Sequence, residues 1–192
     1  MVLPLRRLLF TVDQYHQLEK MGVLTEDDRV ELIHGEIVEM APIGERHFGH
    51  VNRFTYVFSR LFGDRALLHI QNPVRLGPRI EPEPDVVLLR PREDFYESGV
   101  PTPADVLLLV EIADSSVEYD RNTKVPLYGE AGIVEYWLVN LVQTQIVVYR
   151  DPSPTGYRTV QVYRPGDAIQ PLLFPDITVQ VSDVLRARTD EA

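Results

Sequence analysis

The chain has 192 residues, 44% of them hydrophobic and 25% charged, with a formal net charge of −10 and no cysteine. At this size and balance we expect residues 1–192 to form a single domain that buries roughly 70% of its unfolded surface without a disulfide or a structural metal. The missing cysteine excludes thiol nucleophiles, thiolate zinc sites and redox switching and fits a cytoplasmic location, while the acidic balance argues mildly against a nucleic-acid partner, since affinity for phosphates comes from Lys and Arg.

The opening MVLPLRRLLF runs straight into polar TVDQYHQLEK with no small-residue cleavage site, and no apolar run reaches membrane-spanning length, so neither an export signal nor a membrane span is expected. TVDQYHQLEKMG reads as a helix with Thr11 as N-cap and Gly22 just past its end, Tyr15, Leu18 and Met21 repeating at helical spacing. RVELIHGEIVEM follows as a hairpin, with Val30 and Leu32 facing Ile37 and Val38 across a His34-Gly35 turn. From His47 to Phe62 the periodicity is strongly helical, placing His47, Val51, Phe54, Phe58, Leu61 and Phe62 on one face to pack against a sheet.

Strands are then expected at ALLHIQ, NPVRL, PDVVLLR and DVLLLVEIA, a helix at VEYDRNTKVPLYGEAG and a strand at VEYWLVN. Pro126 weakens that helix in its interior and fits better if the helix proper begins near Lys124 or Val125. QIVVYR, YRTVQVYR and DITVQV, punctuated by Pro and Gly, read as strands and hairpins completing or edging the sheet, and residues 186–192 as a frayed tail. Arg46, Arg53, Arg60, Arg75, Arg79, Arg90 and Arg92 fall in one third of the chain; they either gather into a basic groove or are scattered solvated charge.

Two carboxylates stand where buried strands would call for Val or Leu. Asp85 opens the apolar run VVLL and Glu111 ends the run VLLLV. Taken alone, Asp85 reads equally as a strand-opening residue after proline and Glu111 as a residue capping the next turn. Lys124 follows on the amphipathic segment, where Asp120, Lys124 and Tyr128 share a face at i, i+4 and i+8. Two acids and a lysine suggest metal-assisted phosphodiester cleavage. Tyr128, Glu135, Tyr136 and Trp137 read as packing residues.

The ordered segments VELIHGEIVEMAP, RHFGHVNRF, PDVVLL, LLLVEIADSS and YDRNTKVPLYGEAGIVEYWLVN resemble the Uma-type restriction endonuclease family, formerly a domain of unknown function and expanded in cyanobacteria, over about residues 10–185. The resemblance implies the PD-(D/E)XK nuclease superfamily. It therefore implies an α/β (α+β) fold with a restriction-endonuclease-like mixed sheet flanked by helices, plus extra β-hairpins at the N- and C-terminal sides. Pro84-Asp85 matches the PD element and Glu111 the acidic position of (D/E)XK. Ala113 stands where that pattern places lysine, and Lys124 is implied as its substitute.

So aligned, Asp85 and Glu111 are the expected ligands of Mg²⁺, with Mn²⁺ as a substitute, and Lys124 orients the attacking water or stabilises the phosphorane. Glu31 and His47 lie in matching segments and either join the site or remain a solvent-facing strand residue and a helix-packing residue. The expected activity is a metal-dependent DNA endonuclease working as a homodimer. The alternatives are a catalytically inactive nuclease-fold module that binds nucleic acid or protein, and a hydrolase of small phosphoesters.

Overall fold

The computed structural model describes residues 7–25, 27–42 and 44–186, so the tail expected to fray lies outside the described residues from 187 onward. The helix α1 (Val12–Lys20) opens on a capping box, Thr11 accepting from the Gln14 amide while the Gln14 side chain accepts from the Thr11 amide. Its Tyr15 is buried, but Met21, expected on the same face, is exposed. Strands β1 (Val30–Ile33) and β2 (Glu36–Glu39) form the expected hairpin, and His34 and Gly35 both take positive φ (50° and 82°), as a two-residue primed turn requires.

Helix α2 (Glu45–Phe62) follows, and then a six-stranded sheet built in sequence order. Its strands are β3 (Leu67–Ile70), β4 (Val86–Leu89), β5 (Val106–Ala113), β6 (Glu135–Asn140), β7 (Gln145–Ser153) and β8 (Gly156–Tyr163). Every neighbouring pair is antiparallel except β5 and β6, which are parallel. Between those two runs the helical connector: α3 (Val117–Tyr119), a π turn (Asp120–Lys124) and α4 (Val125–Glu130). The short β9 (Ala168–Ile169) and β10 (Val179–Gln180) pair with each other, and α5 (Val181–Val184) is the last element among the described residues.

Alternation along the strands sorts the core into two layers. Val86, Leu88, Leu108, Val110 and Ile112 face α2, where Phe54, Phe58, Phe62 and Trp137 pack edge to face. Val87, Leu89, Leu109 and Ala113 face the other way, under Tyr128 and Tyr136. All eight residues of β5 are buried, consistent with a central strand covered on both sides.

Three local expectations differ from the structure. NPVRL is not a strand: residues 72–76 run irregularly and cross to neighbouring loops, Val74 donating to Pro82 O and Arg75 to Pro101 O. DITVQV supplies only the two residues of β10 before the chain turns into α5. In α2 the buried stripe is His50, Val51, Phe54, Phe58 and Phe62, while Leu61 lies at the surface.

The connector packs closely on β8, for a Cβ added at Gly129 would lie 2.2 Å from the Gly156 carbonyl oxygen. Gly129→Ala is therefore expected to destabilise the protein by about 1–3 kcal/mol in urea titration, as overpacking does. A loss below about 0.5 kcal/mol, the range of an indifferent surface change, would contradict so tight a contact.

Candidate active site

The register of β4 on β5 explains why two acids far apart in sequence meet. Val86 pairs with Val110, so one step further along the antiparallel ladder Asp85 comes opposite Glu111, both on the face that carries Tyr128. Hydrogen bonds lock the pair: the Asp85 amide donates to Glu111 Oε2 (3.3 Å) and the Ile112 amide to Asp85 Oδ2 (2.9 Å).

The connector delivers the lysine. Its middle turn is a π turn, in which the Val125 amide donates to the Asp120 carbonyl five residues back. Pro126 then sits in the first turn of α4, where its missing N–H leaves nothing unpaired. Asp120 and Lys124 are both buried. The Lys124 ammonium donates to Glu111 Oε1 and to Glu31 Oε1, each at 2.9 Å, and the Tyr128 hydroxyl donates to the same Glu111 oxygen at 2.7 Å. Glu31 in turn accepts from the Glu83 amide at 2.9 Å, so the N-terminal hairpin is bonded directly to the segment that leads into β4.

Electrostatics follow from burial. Loss of water pushes the Glu111 carboxyl up to about 8, the neighbouring Asp85, Asp120 and Glu31 adding to the rise and Lys124 opposing it. Burial also raises Asp120, whose Oδ2 accepts from the Ser116 hydroxyl at 2.6 Å, and raises the half-buried Glu83. For Lys124 burial acts downward, but Glu111, Glu31 and Asp120 outweigh it and hold the ammonium well above its ordinary value.

His47, in the first turn of α2, reaches Asp85 Oδ2 with Nε2 at 3.0 Å, and Gln71, just past β3, donates to Asp85 Oδ1 at 3.3 Å. These groups line a cleft of about 390 Å³ between the β1–β2 hairpin, the start of α2 and the ends of β4 and β5. Its described lining holds seven acids (Glu31, Glu39, Glu83, Asp85, Glu111, Asp114 and Asp120) against two cations, Arg29 and Lys124. Neither those seven arginines of the central third nor Arg65, which falls among them, lines it. Instead Arg46 is held by Asp114 and the Leu141 carbonyl, Arg75 by Glu81 and Arg92 by Asp94, which is the scattered arrangement.

Among the described residues no group of three or more His, Cys, Asp or Glu forms a ready-made metal cage. The donor set nevertheless suits Mg²⁺, which is commonly held by one or two carboxylates with water and phosphate oxygens completing an octahedron. Asp85 Oδ1 and Glu111 Oε2 each accept one long bond of 3.3 Å and keep lone pairs free.

All five residues singled out in the sequence, Asp85, Glu111, Lys124, Glu31 and His47, are thus brought to one cleft. Tyr128 packs in the core as expected and also bonds Glu111, a contact in keeping with the face it shares with Lys124 at i, i+4 spacing. Gln71 and Glu83 carried no signal beyond their places at a strand end and in the EPEPD run.

A mixed sheet with acids opposed on neighbouring strands and a lysine from the following helix defines a nuclease fold. The chain matches the model of the Uma2 family, described as "Putative restriction endonuclease", over residues 12–182, and it belongs to that family. Among solved structures it is similar to a protein of Anabaena variabilis described as a putative nuclease of the DUF820 group. The TM-score is 0.69 and the identity 17%, with 91% of this chain and 97% of that one covered. No curated protein matches the chain.

Tyr128→Phe removes the hydroxyl that Glu111 accepts from without changing the packed ring. The expected cost is about 1–3 kcal/mol in urea titration, the penalty for leaving a buried acceptor without one of its donors. An unchanged midpoint would show that Lys124 alone satisfies that oxygen.

Proposed function

We propose that the protein is a divalent-metal-dependent endonuclease that hydrolyses phosphodiester bonds of DNA. The observation that carries this reading is the direct opposition of Asp85 and Glu111 at the cleft floor with the Lys124 ammonium on Glu111. Asp85 and Glu111 would hold Mg²⁺ or Mn²⁺, which supplies Lewis acidity toward a phosphate oxygen and an acidified water.

The chain's own groups divide the remaining work. Lys124, kept protonated by three carboxylates, cannot serve as a base; its positive charge meets the charge that develops on phosphorus oxygens and orients the attacking water. Glu31 holds that ammonium in place, and His47 and Gln71 hold the Asp85 carboxylate from two sides. With seven acids in its lining the cleft repels a phosphodiester until cations enter, so substrate affinity depends on the metal.

For a duplex substrate, a two-fold homodimer in the cytoplasm would present one site to each strand. A second reading, hydrolysis of small phosphoesters, is favoured by the cleft volume of about 390 Å³, which suits a nucleotide-sized ligand.

Calorimetric titration of Mg²⁺ and Mn²⁺, run beside cleavage of plasmid and single-stranded DNA, tests the proposal. Asp85→Ala and Glu111→Ala are expected to abolish metal binding and to lower cleavage by about 10²-fold or more, as loss of several kcal/mol of charge stabilisation implies. If the unaltered protein binds no metal and cuts neither DNA, the assignment fails. Turnover of a dinucleotide but not of plasmid would favour the small-phosphoester reading.

A further inference from the structure

A second cavity of about 750 Å³ adjoins the cleft and shares Arg29, Met40, Gln71 and Glu83 with it, so the two form one trench. The far part runs between α1 and the β1–β2 hairpin, and Tyr15, Leu24, Val30 and Met40 give it apolar walls. Its described lining carries three carboxylates, Glu19, Asp28 and Glu83, against one cation, Arg29. Asp28 already accepts from the Thr25 amide and hydroxyl, and Arg29 spends an N–H on the Ala41 carbonyl at 2.7 Å.

Glu83 is different. Its backbone amide is pinned by Glu31, while its half-buried carboxylate accepts from no donor among the described residues. It stands two positions before Asp85, at the junction of the two cavities.

Resting on the nuclease reading, we propose that this second cavity is a nucleobase subsite, which takes an unpaired, amino-bearing base beside the phosphate at Asp85 and Glu111, with Glu83 accepting from the exocyclic amine. Three carboxylates against the single cation Arg29, set between apolar walls, disfavour phosphate there and suit a flat neutral ring with N–H donors. Cytosine, adenine and guanine each carry such an amine, whereas thymine presents carbonyl oxygen in its place. A base held in a duplex cannot reach the trench, so the strand must be unpaired there.

The test uses the full chain with Ca²⁺ as the cation and fluorescein-labelled pentamers of deoxycytidylate, deoxyadenylate and thymidylate, read by fluorescence polarisation. The unaltered protein is expected to bind the cytosine and adenine pentamers about fivefold to tenfold more tightly than thymidylate, the lower range for base discrimination by a carboxylate. Replacing cytosine by N4,N4-dimethylcytosine should erase that advantage without any change to the protein. Glu83→Gln, whose amide offers a donor as well as an acceptor, should flatten the ratio within the variant.

Equal binding of all three pentamers, or a preference that survives dimethylation, overturns the subsite. Equal binding with plasmid cleavage intact sinks the subsite alone. Absence of both binding and cleavage sinks the nuclease reading with it.

Discussion

The Lys124 ammonium is buried and shared by two carboxylates that come from different parts of the chain, Glu31 on the N-terminal hairpin and Glu111 on the central strand. Taking three charged groups out of water is costly, and such a set persists only when its geometry is good and each member keeps its partners. The hydrogen bonds from the Asp85 and Glu83 amides and from the Tyr128 hydroxyl meet that condition. The hairpin, the connector and the sheet are joined at a single cation, so local order at the cleft is a property of all three at once.

The same arrangement sets the cleft's appetite for charge. Raised carboxyls at Glu111, Asp120 and Glu83 are what close-set acids in low dielectric produce when one ammonium faces several of them. Under the proposed nuclease reading, a site so composed would resist polyanions alone and accept them together with hard cations. On that reading the acidic net charge of the chain and a phosphodiester substrate are compatible, because the attraction would be carried by ions and not by arginines such as Arg75 and Arg92, which are tied to Glu81 and Asp94.

Much of the fold was legible in the sequence where periodicity and turn chemistry agreed. The Thr11 cap, the His34-Gly35 turn, the Val51, Phe54, Phe58 and Phe62 part of the α2 stripe and the apolar runs of β4 and β5 lie where local pattern places them. The acids at the start of one run and the end of the next were legible too, but the antiparallel register that opposes them is set by the pairing of β4 with β5, which local pattern does not choose. What local pattern does not carry is the choice between neighbours: NPVRL has strand composition but its amides pair with loops, and DITVQV gives way to a helical turn. Gln71 reaches Asp85 from a positive φ of 49° just past β3, a geometry that no spacing rule announces.

The π turn gives the site an unusual sensitivity. One hydrogen bond spanning five residues instead of four is accommodated between Asp120 and Val125, immediately before the proline. Removing one residue there would return the connector to regular winding and swing everything upstream of it by about 100° around the helix axis. Asp120 and Ser116 would leave the cleft while Lys124 and Tyr128 stayed against Glu111. Chain length across this segment is therefore under tighter constraint than the identity of Arg121, Asn122 or Thr123, whose side chains play no part in holding the cleft together.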